Sequence, residues 1–225
     1  MTEPPSGNHD GVSKRPVVAA FDFDGTLSVR DCMVPFLCSL VGRLRLVGGV
    51  LRQPRPLIDA LIRRDRDRFK VVVVRAAYRN RWVAEVDALG AEFAARIHES
   101  MLRADTLRRL VWHQREGHRV IVVSASLGSY LHPLGESLAL DAVLCTEALQ
   151  SGGRYTGDLI DDNCRGAEKA RRLQQWLDGQ GFSDAEIWAY GDSVGDRELL
   201  LAAHHPMNVK GVKVTEVPVV AGNVT

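Results

Sequence analysis

The sequence predicts an α/β fold built on a parallel β-sheet, because apolar strand-like runs alternate along the chain with amphipathic helical patterns. Three short apolar runs are typical of strands covered on both faces, namely Val17–Phe21, Arg119–Val123 and Ile187–Tyr190. A weaker fourth run is Ala142–Cys145. These runs and the helical periodicity between them predict the fold class.

Apolar residues recur at helical spacing in two of the segments between these runs. The residues that define the two apolar faces are Phe93, Ile97 and Met101 in one segment and Ala170, Leu173 and Leu177 in the other. We therefore expect a helix before the second run and another before the third. Val71–Val74 is ambiguous, since four β-branched residues suit a short strand as well as a buried helical turn.

The domain organisation follows from the distance between the first two strands, which is far too long for one crossover. We expect residues 17–31 and 101–225 to form the core and residues 32–100 to form an inserted, mostly helical cap. Residues 1–16 are rich in Pro, Gly, Ser and charge and lack the apolar segment of a signal peptide. They are expected to form a disordered tail.

Charge is balanced over the whole chain but not within the insert. The 225 residues carry 29 Lys+Arg and 28 Asp+Glu, which argues against a protein dominated by nucleic-acid binding. Between Arg43 and Arg81, twelve Arg or Lys stand against three Asp, a local balance of about +9. These cations could coat a solvated helical surface or bind a substrate carboxylate or second phosphate. Over Leu44–Leu61 they could instead lie weakly against a membrane surface with anionic lipid headgroups.

Cysteine spacing and hydropathy exclude other classes of protein. The four cysteines are dispersed without a Cys-x-x-Cys pair, which fits neither a zinc site nor a disulfide framework. Reduced thiols of this kind favour a cytoplasmic location. No apolar run approaches the ~20 residues of a transmembrane helix, so no transmembrane segment is expected. The oligomeric state has no signature in the sequence.

Carboxylates and a hydroxyl follow the three predicted strands. Asp22 and Asp24 come after the first, Ser124 after the second, and the segment GDSVGD at 191–196 after the third. Ligands of open α/β sheets bind beyond the carboxyl ends of the strands, so we expect these groups to converge. Carboxylates that close together cannot all ionise without a counter-ion. Mg²⁺, a hard cation that prefers oxygen ligands, would supply one.

The spacing of the first two carboxylates indicates a division of labour. Residues two apart in an extended strand point to the same side, so Asp22 and Asp24 can act on one substrate. One carboxylate can act as nucleophile and the other as general acid and base. Gly25 then lets the backbone turn sharply towards a phosphate.

Four motifs resemble those of the haloacid dehalogenase superfamily. They are DFDGT at 22–26, the hydroxyl of Ser124 after RVIVV, Lys169 in RGAEK, and GDSVGD at 191–196. The stretch SGGRYTG at 151–157, which alone predicts a hairpin turn, and the following CRG at 164–166 are similar in order and spacing to the phosphoserine-phosphatase-like branch, subfamily IB. The resemblance implies a Rossmann-like parallel-sheet core of the haloacid dehalogenase type with an inserted helical cap domain.

The resemblance also implies a Mg²⁺-dependent hydrolysis of phosphate monoesters. Asp22 would attack phosphorus and form an aspartyl-phosphate, and Asp24 would protonate the leaving alkoxide and then activate water. Asp22, the backbone carbonyl of Asp24, and Asp192 would hold Mg²⁺. Ser124 and Lys169 would bind the transferring phosphoryl oxygens.

Three further residues of these motifs are expected to support the reacting groups. Asp196 would orient Lys169 or a metal-bound water, while Ser193 and Thr26 would lie behind the reacting groups, Ser193 as a hydrogen-bonding loop residue. The second aspartate of the first motif, Asp24, favours a phosphatase over a dehalogenase, since a halide leaves as a stable anion and needs no acid.

The expected substrate is a small phosphorylated metabolite, handled as in phosphoserine phosphatases. Asp31 stands where those enzymes place a glutamate that contacts the substrate amine, with the same charge and a shorter reach. The run Ser124-Ala125-Ser126 replaces the glycines that follow the serine there. The alternatives are a phospholipid-derived or amino-alcohol phosphate, a phosphotransferase reaction, and a non-catalytic phosphate-binding module.

Overall fold

A computed structural model describes residues 15–214 of the chain. The strands are β1 (Val17–Phe21), β2 (Arg119–Leu127), β3 (Ala142–Thr146), β4 (Ala148–Ser151), β5 (Arg154–Leu159), β6 (Glu186–Gly191) and β7 (His205–Asn208). Five of them form one sheet in the order β3-β2-β1-β6-β7, and every neighbouring pair is parallel. The predicted α/β fold with a parallel sheet is confirmed.

Nine α-helices accompany these strands within residues 15–214. They are α1 (Met33–Val41), α2 (Arg43–Leu51), α3 (Pro54–Ile62), α4 (Arg66–Tyr78), α5 (Val83–Ser100), α6 (Ala104–Arg115), α7 (Gly128–Ser137), α8 (Ala167–Gln180) and α9 (Arg197–Leu201). The first five occupy the segment for which an inserted cap is predicted, and the two predicted amphipathic segments fall in α5 and α8. No single helix of the described residues is long and apolar enough to cross a membrane; α1 and α2 would pass that test only as a pair, and they are bent by 98°.

Both faces of the sheet are covered, which explains why its central strands are uninterrupted apolar runs. On one face Phe21 and Val122 belong to a large core that continues into the inserted helices. On the other face Ala20 and Ile121 pack in a smaller core with residues of α8 and α9. Consecutive side chains of a strand alternate between these two cores.

The strand order places β1 between β2 and β6, so the chain turns to opposite sides of β1 as it proceeds. Such a reversal opens a crevice beyond the carboxyl ends of the two strands concerned. The backbone N–H of Asp22 donates to the carbonyl of Tyr190 in β6 at 2.8 Å, which holds the first motif at this crevice.

The inserted helices leave and rejoin the core at one narrow ribbon. Ser28 and Leu102 form an antiparallel bridge. The N–H of Val29 donates to the Met101 carbonyl at 2.9 Å, and the N–H of Arg103 donates to the Leu27 carbonyl at 2.8 Å. The two crossings of the chain are therefore adjacent.

The hairpin of β4 and β5 turns at Ser151-Gly152-Gly153, as this sequence predicts. It packs against the inserted helices, since the N–H of Asn80 donates to the carbonyl of Tyr155 at 2.9 Å. The N–H of Val83 donates to the carbonyl of Gly153 at 3.0 Å. The hairpin thus belongs in space with the insert although it follows β3 in sequence.

The second strand is longer than its apolar run. β2 continues to Leu127, so Ser124 lies within the strand and not after it. The pairing of β2 with β3 is irregular between Val123 and Leu127, which frees the backbone of this stretch from a regular ladder. The hydroxyl-bearing end of β2 is therefore an extension beyond the apolar run from which the strand was predicted.

Other differences concern short or ambiguous segments. Val71–Val74 is helical within α4, whose first turn is capped by the Asp65 carboxylate accepting from the N–H groups of Asp67 and Arg68 at 2.9 and 3.0 Å. β7 is a short edge strand without an apolar run, and its Pro206 is tolerated because it lies at the sheet edge. Most of the predicted tail lies outside the described residues.

The last two residues of that tail contact the core. Pro16 accepts at its carbonyl from the N–H of Glu186 at 2.8 Å, and the Arg15 guanidinium donates to the Ala185 carbonyl at 3.2 Å. The expectation that the tail extends to residue 16 is therefore wrong at these two positions, where hydrogen bonds to β6 and the residue before it hold the chain.

Candidate active site

Asp22 and Lys169 form a buried ion pair at the end of β1. The Lys169 ammonium donates to Asp22 Oδ1 and to Asp196 Oδ1, each at 2.5 Å. Lys169 lies in the first turn of α8 and is 2% exposed, and Asp22 is 6% exposed. One lysine is thus shared between a carboxylate from the first motif and one from the last.

The charges of this cluster shift one another's protonation. Burial raises the pKa of Asp22 to about 6, with the Lys169 charge opposing and the Asp196 charge adding to the rise. For Lys169, burial alone would lower the pKa, but the two carboxylates outweigh it and raise the pKa. Burial likewise opposes ionisation of Asp196, and Lys169 more than compensates, so its pKa is lowered. An ionised lysine between two carboxylates can stabilise negative charge that develops nearby.

The loop after β6 holds Asp196 in place. Asp196 Oδ2 accepts from the N–H and the hydroxyl of Ser193 at 2.9 and 2.7 Å. The Ser193 hydroxyl in turn accepts from the N–H of Gly195 at 3.1 Å. Ser193 therefore fixes the carboxylate that orients Lys169, and it has no hydrogen bond to Asp22 among the described residues.

The third carboxylate, Asp192, completes an acidic group that suits a metal ion. One oxygen each of Asp22, Asp192 and Asp196 lies within 4.8 Å of the others. Asp192 Oδ1 is buried and has no hydrogen-bond partner in residues 15–214. Burial, and next the charge of Asp196, raises the pKa of Asp192. A buried carboxylate oxygen without a donor is what a hard cation such as Mg²⁺ would satisfy.

Gly25 makes room for this carboxylate. Its φ of 81° lies in the left-handed region, and a Cβ there would sit 2.4 Å from Asp192 Oδ2. Only glycine therefore combines the required backbone turn with the close approach of Asp192. Since the donor set fits a divalent cation, Asp22 and Asp192 are the residues that would hold it.

Asp24 lies in a different environment from Asp22. Its Oδ1 accepts from the backbone N–H of Cys32 at 2.8 Å, and its Oδ2 accepts from the hydroxyl of Ser126. Burial, and next the charge of Asp31, raises its pKa to about 7, although both hydrogen bonds oppose the rise. A carboxyl group with this pKa can give and take a proton near neutral pH.

Asp31 is exposed and lies where the chain enters the insert. Its Oδ1 accepts from the N–H of Val34 at 3.3 Å, in the first turn of α1. Its charge raises the pKa of Asp24, although the two carboxylates share no hydrogen bond in the described residues. Asp31 is therefore positioned at the edge of the site.

Ser124 is 1% exposed, and its hydroxyl accepts from the N–H of Ser126 at 3.1 Å. Ser126 was not predicted as a site residue from the sequence. Its hydroxyl donates to Asp24 and accepts from the Tyr130 hydroxyl at 2.7 Å, so it links these two side chains. Its position two residues after Ser124 could have predicted it, since residues two apart in an extended strand share a face. Thr26 is fully buried; its carbonyl accepts from the Thr106 hydroxyl at 2.7 Å, and its own hydroxyl has no partner in the described residues.

Lys70 is buried, like Lys169, but it was not predicted as a site residue from the sequence. It extends from α4 into the core and is 5% exposed. Its ammonium donates to the Ala125 carbonyl, to Thr146 Oγ1 at 3.1 Å and to Asn163 Oδ1 at 2.7 Å. Burial lowers its pKa to about 8. Helical spacing could have predicted its burial, because Lys70 shares one face of α4 with the buried Val73, Val74 and Ala77.

Comparisons with known proteins find relatives in both sequence and fold. Protein CicA of Caulobacter vibrioides is 35% identical over 191 residues, which cover 84% of this chain and 83% of that protein. A phosphoserine phosphatase of Archaeoglobus fulgidus is 29% identical over 113 residues, which cover 50% of this chain and 33% of that protein. A substrate-bound phosphoserine phosphatase structure superimposes with a TM-score of 0.57 at 16% identity, covering 84% of each chain, which shows a shared fold.

The family model for haloacid dehalogenase-like hydrolases matches residues 19–201, which include all four motifs and the insert. The matched range begins within β1 and ends with α9. The chain therefore belongs to the haloacid dehalogenase-like hydrolase family.

Proposed function

We propose that this protein is a Mg²⁺-dependent phosphomonoester hydrolase that forms an aspartyl-phosphate on Asp22. The observation that carries the proposal is the contrast between two neighbouring carboxylates: Asp22 pairs with the buried Lys169, while Asp24 accepts hydrogen bonds from the Cys32 N–H and the Ser126 hydroxyl. The family and its phosphatase-named relatives assign the chain to the phosphatases. A cytoplasmic location and the Mg²⁺ requirement belong to the same proposal.

The proposed reaction uses these groups in two steps. An oxygen of Asp22 attacks phosphorus, the ester P–O bond breaks, and Asp24 gives its proton to the leaving alkoxide. In the second half, Asp24 takes a proton from water as the water attacks phosphorus and releases Asp22 and inorganic phosphate. Lys169 and Ser124 stabilise the phosphoryl oxygens, and Asp196 positions Lys169. Mg²⁺, when held by Asp22, Asp192 and the Asp24 carbonyl, would neutralise charge on the phosphoryl group.

We also propose that residues 32–100 act as a cap over this site. Two contacts support it: the Cys32 N–H donates to Asp24, and Lys70 reaches the carbonyl of Ala125 beside Ser126. A small phosphate ester enclosed there would meet Asp31 at the entrance of the insert. Asp31 carries a charge suited to a substrate amine, which supports a phosphoserine-like or amino-alcohol phosphate.

The test is phosphate release from a panel of monoesters, with Mg²⁺ and with EDTA, for the wild type and Asp22→Asn. The panel contains phosphoserine, phosphoethanolamine, phosphocholine, glycerol phosphate, lysophosphatidate and an aryl phosphate. We expect Mg²⁺-dependent release by the wild type and none by a folded Asp22→Asn protein. Release that persists in the variant would contradict the mechanism. Transfer of phosphate to an added alcohol without hydrolysis would identify a phosphotransferase.

A further inference from the structure

Helices α2 and α3 expose an unusual amount of apolar surface. Of the fifteen large hydrophobic residues that are exposed within residues 15–214, six lie in these two nine-residue helices. We call them, with the arginines between them, the α2–α3 surface. The six are Leu44, Val47, Leu51, Ile58, Leu61 and Ile62. Leu44 is 89% exposed and Ile62 is 77% exposed, so neither is part of the protein core.

The exposed residues form stripes along the helices. In α2, Leu44, Val47 and Leu51 are spaced i, i+3 and i+7, which places them on one face. Leu46 and Val50 take the inward side and pack against the main core. In α3, Ile58, Leu61 and Ile62 are spaced i, i+3 and i+4, so this helix also has an apolar stripe that is not buried in the protein. An amphipathic helix normally turns such a stripe towards the core.

Cations are interleaved with these stripes. From residue 43 to residue 64 the chain has six arginines and a single acid, Asp59. Asp59 is paired with Arg63 and Arg68. The other five arginines of the stretch have no ion pair in the part of the chain that the structure describes, and they are exposed: Arg43, Arg45, Arg52, Arg55 and Arg64.

We propose that the α2–α3 surface docks on the surface of a bilayer that contains anionic lipids. Arginine guanidinium groups and exposed Leu, Ile and Val side chains on short helices match the two layers of such a surface, the anionic headgroups and the apolar acyl boundary. A second copy of the chain fits less well, because a symmetric contact would bring two clusters of arginines together. A nucleic acid would use the arginines and leave the apolar stripes in water.

The α2–α3 surface is connected to the site through α4. Both helices pack on α4, whose Lys70 enters the core beside Ser126. The proposal concerns attachment and is independent of the chemistry at Asp22, so binding is measured without substrate.

The experiment is flotation of the full-length protein with phosphatidylcholine vesicles that contain or lack phosphatidylglycerol. We expect binding that requires the anionic lipid and weakens as salt is raised. The double variant Leu44→Ser/Ile62→Ser removes the two most exposed apolar side chains of the surface and should weaken binding at least about tenfold. Arg43→Gln/Arg45→Gln should weaken binding and flatten its salt dependence.

Matched controls come from exposed residues of helices outside the predicted insert. Leu201→Ser removes an apolar side chain that is 74% exposed on α9, and Arg108→Gln/Arg115→Gln removes two exposed arginines of α6. These variants should bind vesicles as the wild type does. All the altered side chains are exposed, so thermal unfolding should be nearly unchanged in every variant.

Three outcomes would overturn the proposal. One is a wild type that does not bind anionic vesicles at low salt. Another is binding that Leu44→Ser/Ile62→Ser leaves unaffected, or binding that the control variants on α6 and α9 lose to the same extent. The third is a concentration-dependent dimer in light scattering that the surface variants abolish, since that would assign the surface to a second copy of the chain.

Discussion

At the scale of single residues, two carboxyl groups at the end of one strand have different surroundings. Asp22 is joined to the Lys169 ammonium, whereas Asp24 accepts from a backbone N–H and a serine hydroxyl and lies near the Asp31 charge. Pairs of carboxyl groups that are held by different partners are typical of acid–base catalysts. The contrast therefore supports Asp22 as nucleophile and Asp24 as acid.

The alkaline side of the pH profile should report the proton on Asp24. This residue must be protonated to serve the leaving group, and its pKa of about 7 means that the proton is lost as the pH rises through neutrality. Asp31→Asn removes a charge that raises this pKa, so the alkaline limb of kcat/KM should move to lower pH. Ser126→Ala removes a hydrogen bond that lowers the pKa, so the limb should move to higher pH by roughly one unit.

The two variants control for each other, because a general loss of activity would not move the limb in opposite directions. A profile that keeps the wild-type limb in both proteins would show that another group carries the alkaline titration.

Mg²⁺ should stabilise the folded protein through the acidic cluster. Because Asp22, Asp192 and Asp196 crowd together with one lysine, a bound cation relieves their repulsion. We expect saturating Mg²⁺ to raise the Tm by several degrees, on the order of 2–4 °C for each kcal/mol of binding linkage. In Asp192→Asn the Mg²⁺ effect should vanish, and the Tm without Mg²⁺ should be above that of the wild type. Asp184→Asn, an exposed carboxylate elsewhere, should keep the Mg²⁺ response; equal responses in both variants would place the cation elsewhere.

At the scale of elements, α5 and α7 pack closely against each other. Gly90 of α5 lies against the backbone of α7, where an added Cβ would come within 2.0 Å of the Ser129 carbonyl oxygen. Since the neighbour is backbone, the two helices would have to separate to accept a side chain.

Gly90→Ala should therefore destabilise the protein by about 2 kcal/mol or more, measured by urea unfolding. Gly179→Ala in α8 is the matched control, because nothing lies within 4 Å of the added Cβ. It should stabilise by about 0.5–1 kcal/mol through helix propensity. A Gly90→Ala protein as stable as the control would contradict the close approach of the helices.

Sequence patterns predicted elements best where one environment covers the whole element. β1 and β6 are surrounded by core on both faces, so their apolar runs were sufficient. β7 was not predictable, because a four-residue edge strand buries little and has polar ends. Val71–Val74 stayed ambiguous, since the decision depended on Asp65 capping the helix from outside the run.

In the candidate site too, residues of a local motif were easier to predict than residues whose partners are remote in sequence. Motif residues that lie close together in sequence, such as Asp22 and Asp24, were predicted as site residues from their spacing. Ser126 and Lys70 were missed because their partners are remote in sequence: Asp24 lies 102 residues from Ser126, and Asn163 lies 93 residues from Lys70.

At the scale of the whole molecule, Lys70 is the buried cation that connects the insert with the core. Its three acceptors lie on β2, on β3 and in the loop before α8, so one side chain from α4 gathers three core segments. If the cap opens to admit substrate, as enclosed active sites require, these bonds must break and the ammonium regains water.

The stability of the protein should depend on pH through this lysine. Below pH 8 Lys70 is charged in both the folded and the unfolded chain, and folding carries the full cost of burying it. Between about pH 8 and its ordinary pKa of about 10.4, the folded chain releases the proton while the unfolded chain keeps it. The free energy of unfolding of the wild type should therefore rise with pH, relative to Lys70→Met, by up to about 3 kcal/mol.

Urea unfolding of both proteins between pH 7.5 and 10 measures this difference, with the exposed Lys213→Met as a reference that should follow the wild type. A difference between wild type and Lys70→Met that stays constant with pH would show that Lys70 keeps its proton throughout.

The ribbon at Ser28 and Leu102 has a consequence for how such a chain can be rearranged. Because the strands of the ribbon are hydrogen-bonded neighbours, the ends of everything between them are already as close as the ends of a tight turn. Closing the core there with a two-residue turn would leave its sheet register untouched, and grafting a different insert of any length would add only a slowly growing loop entropy. The core can thus accept a different insert at this point while its own sheet stays intact.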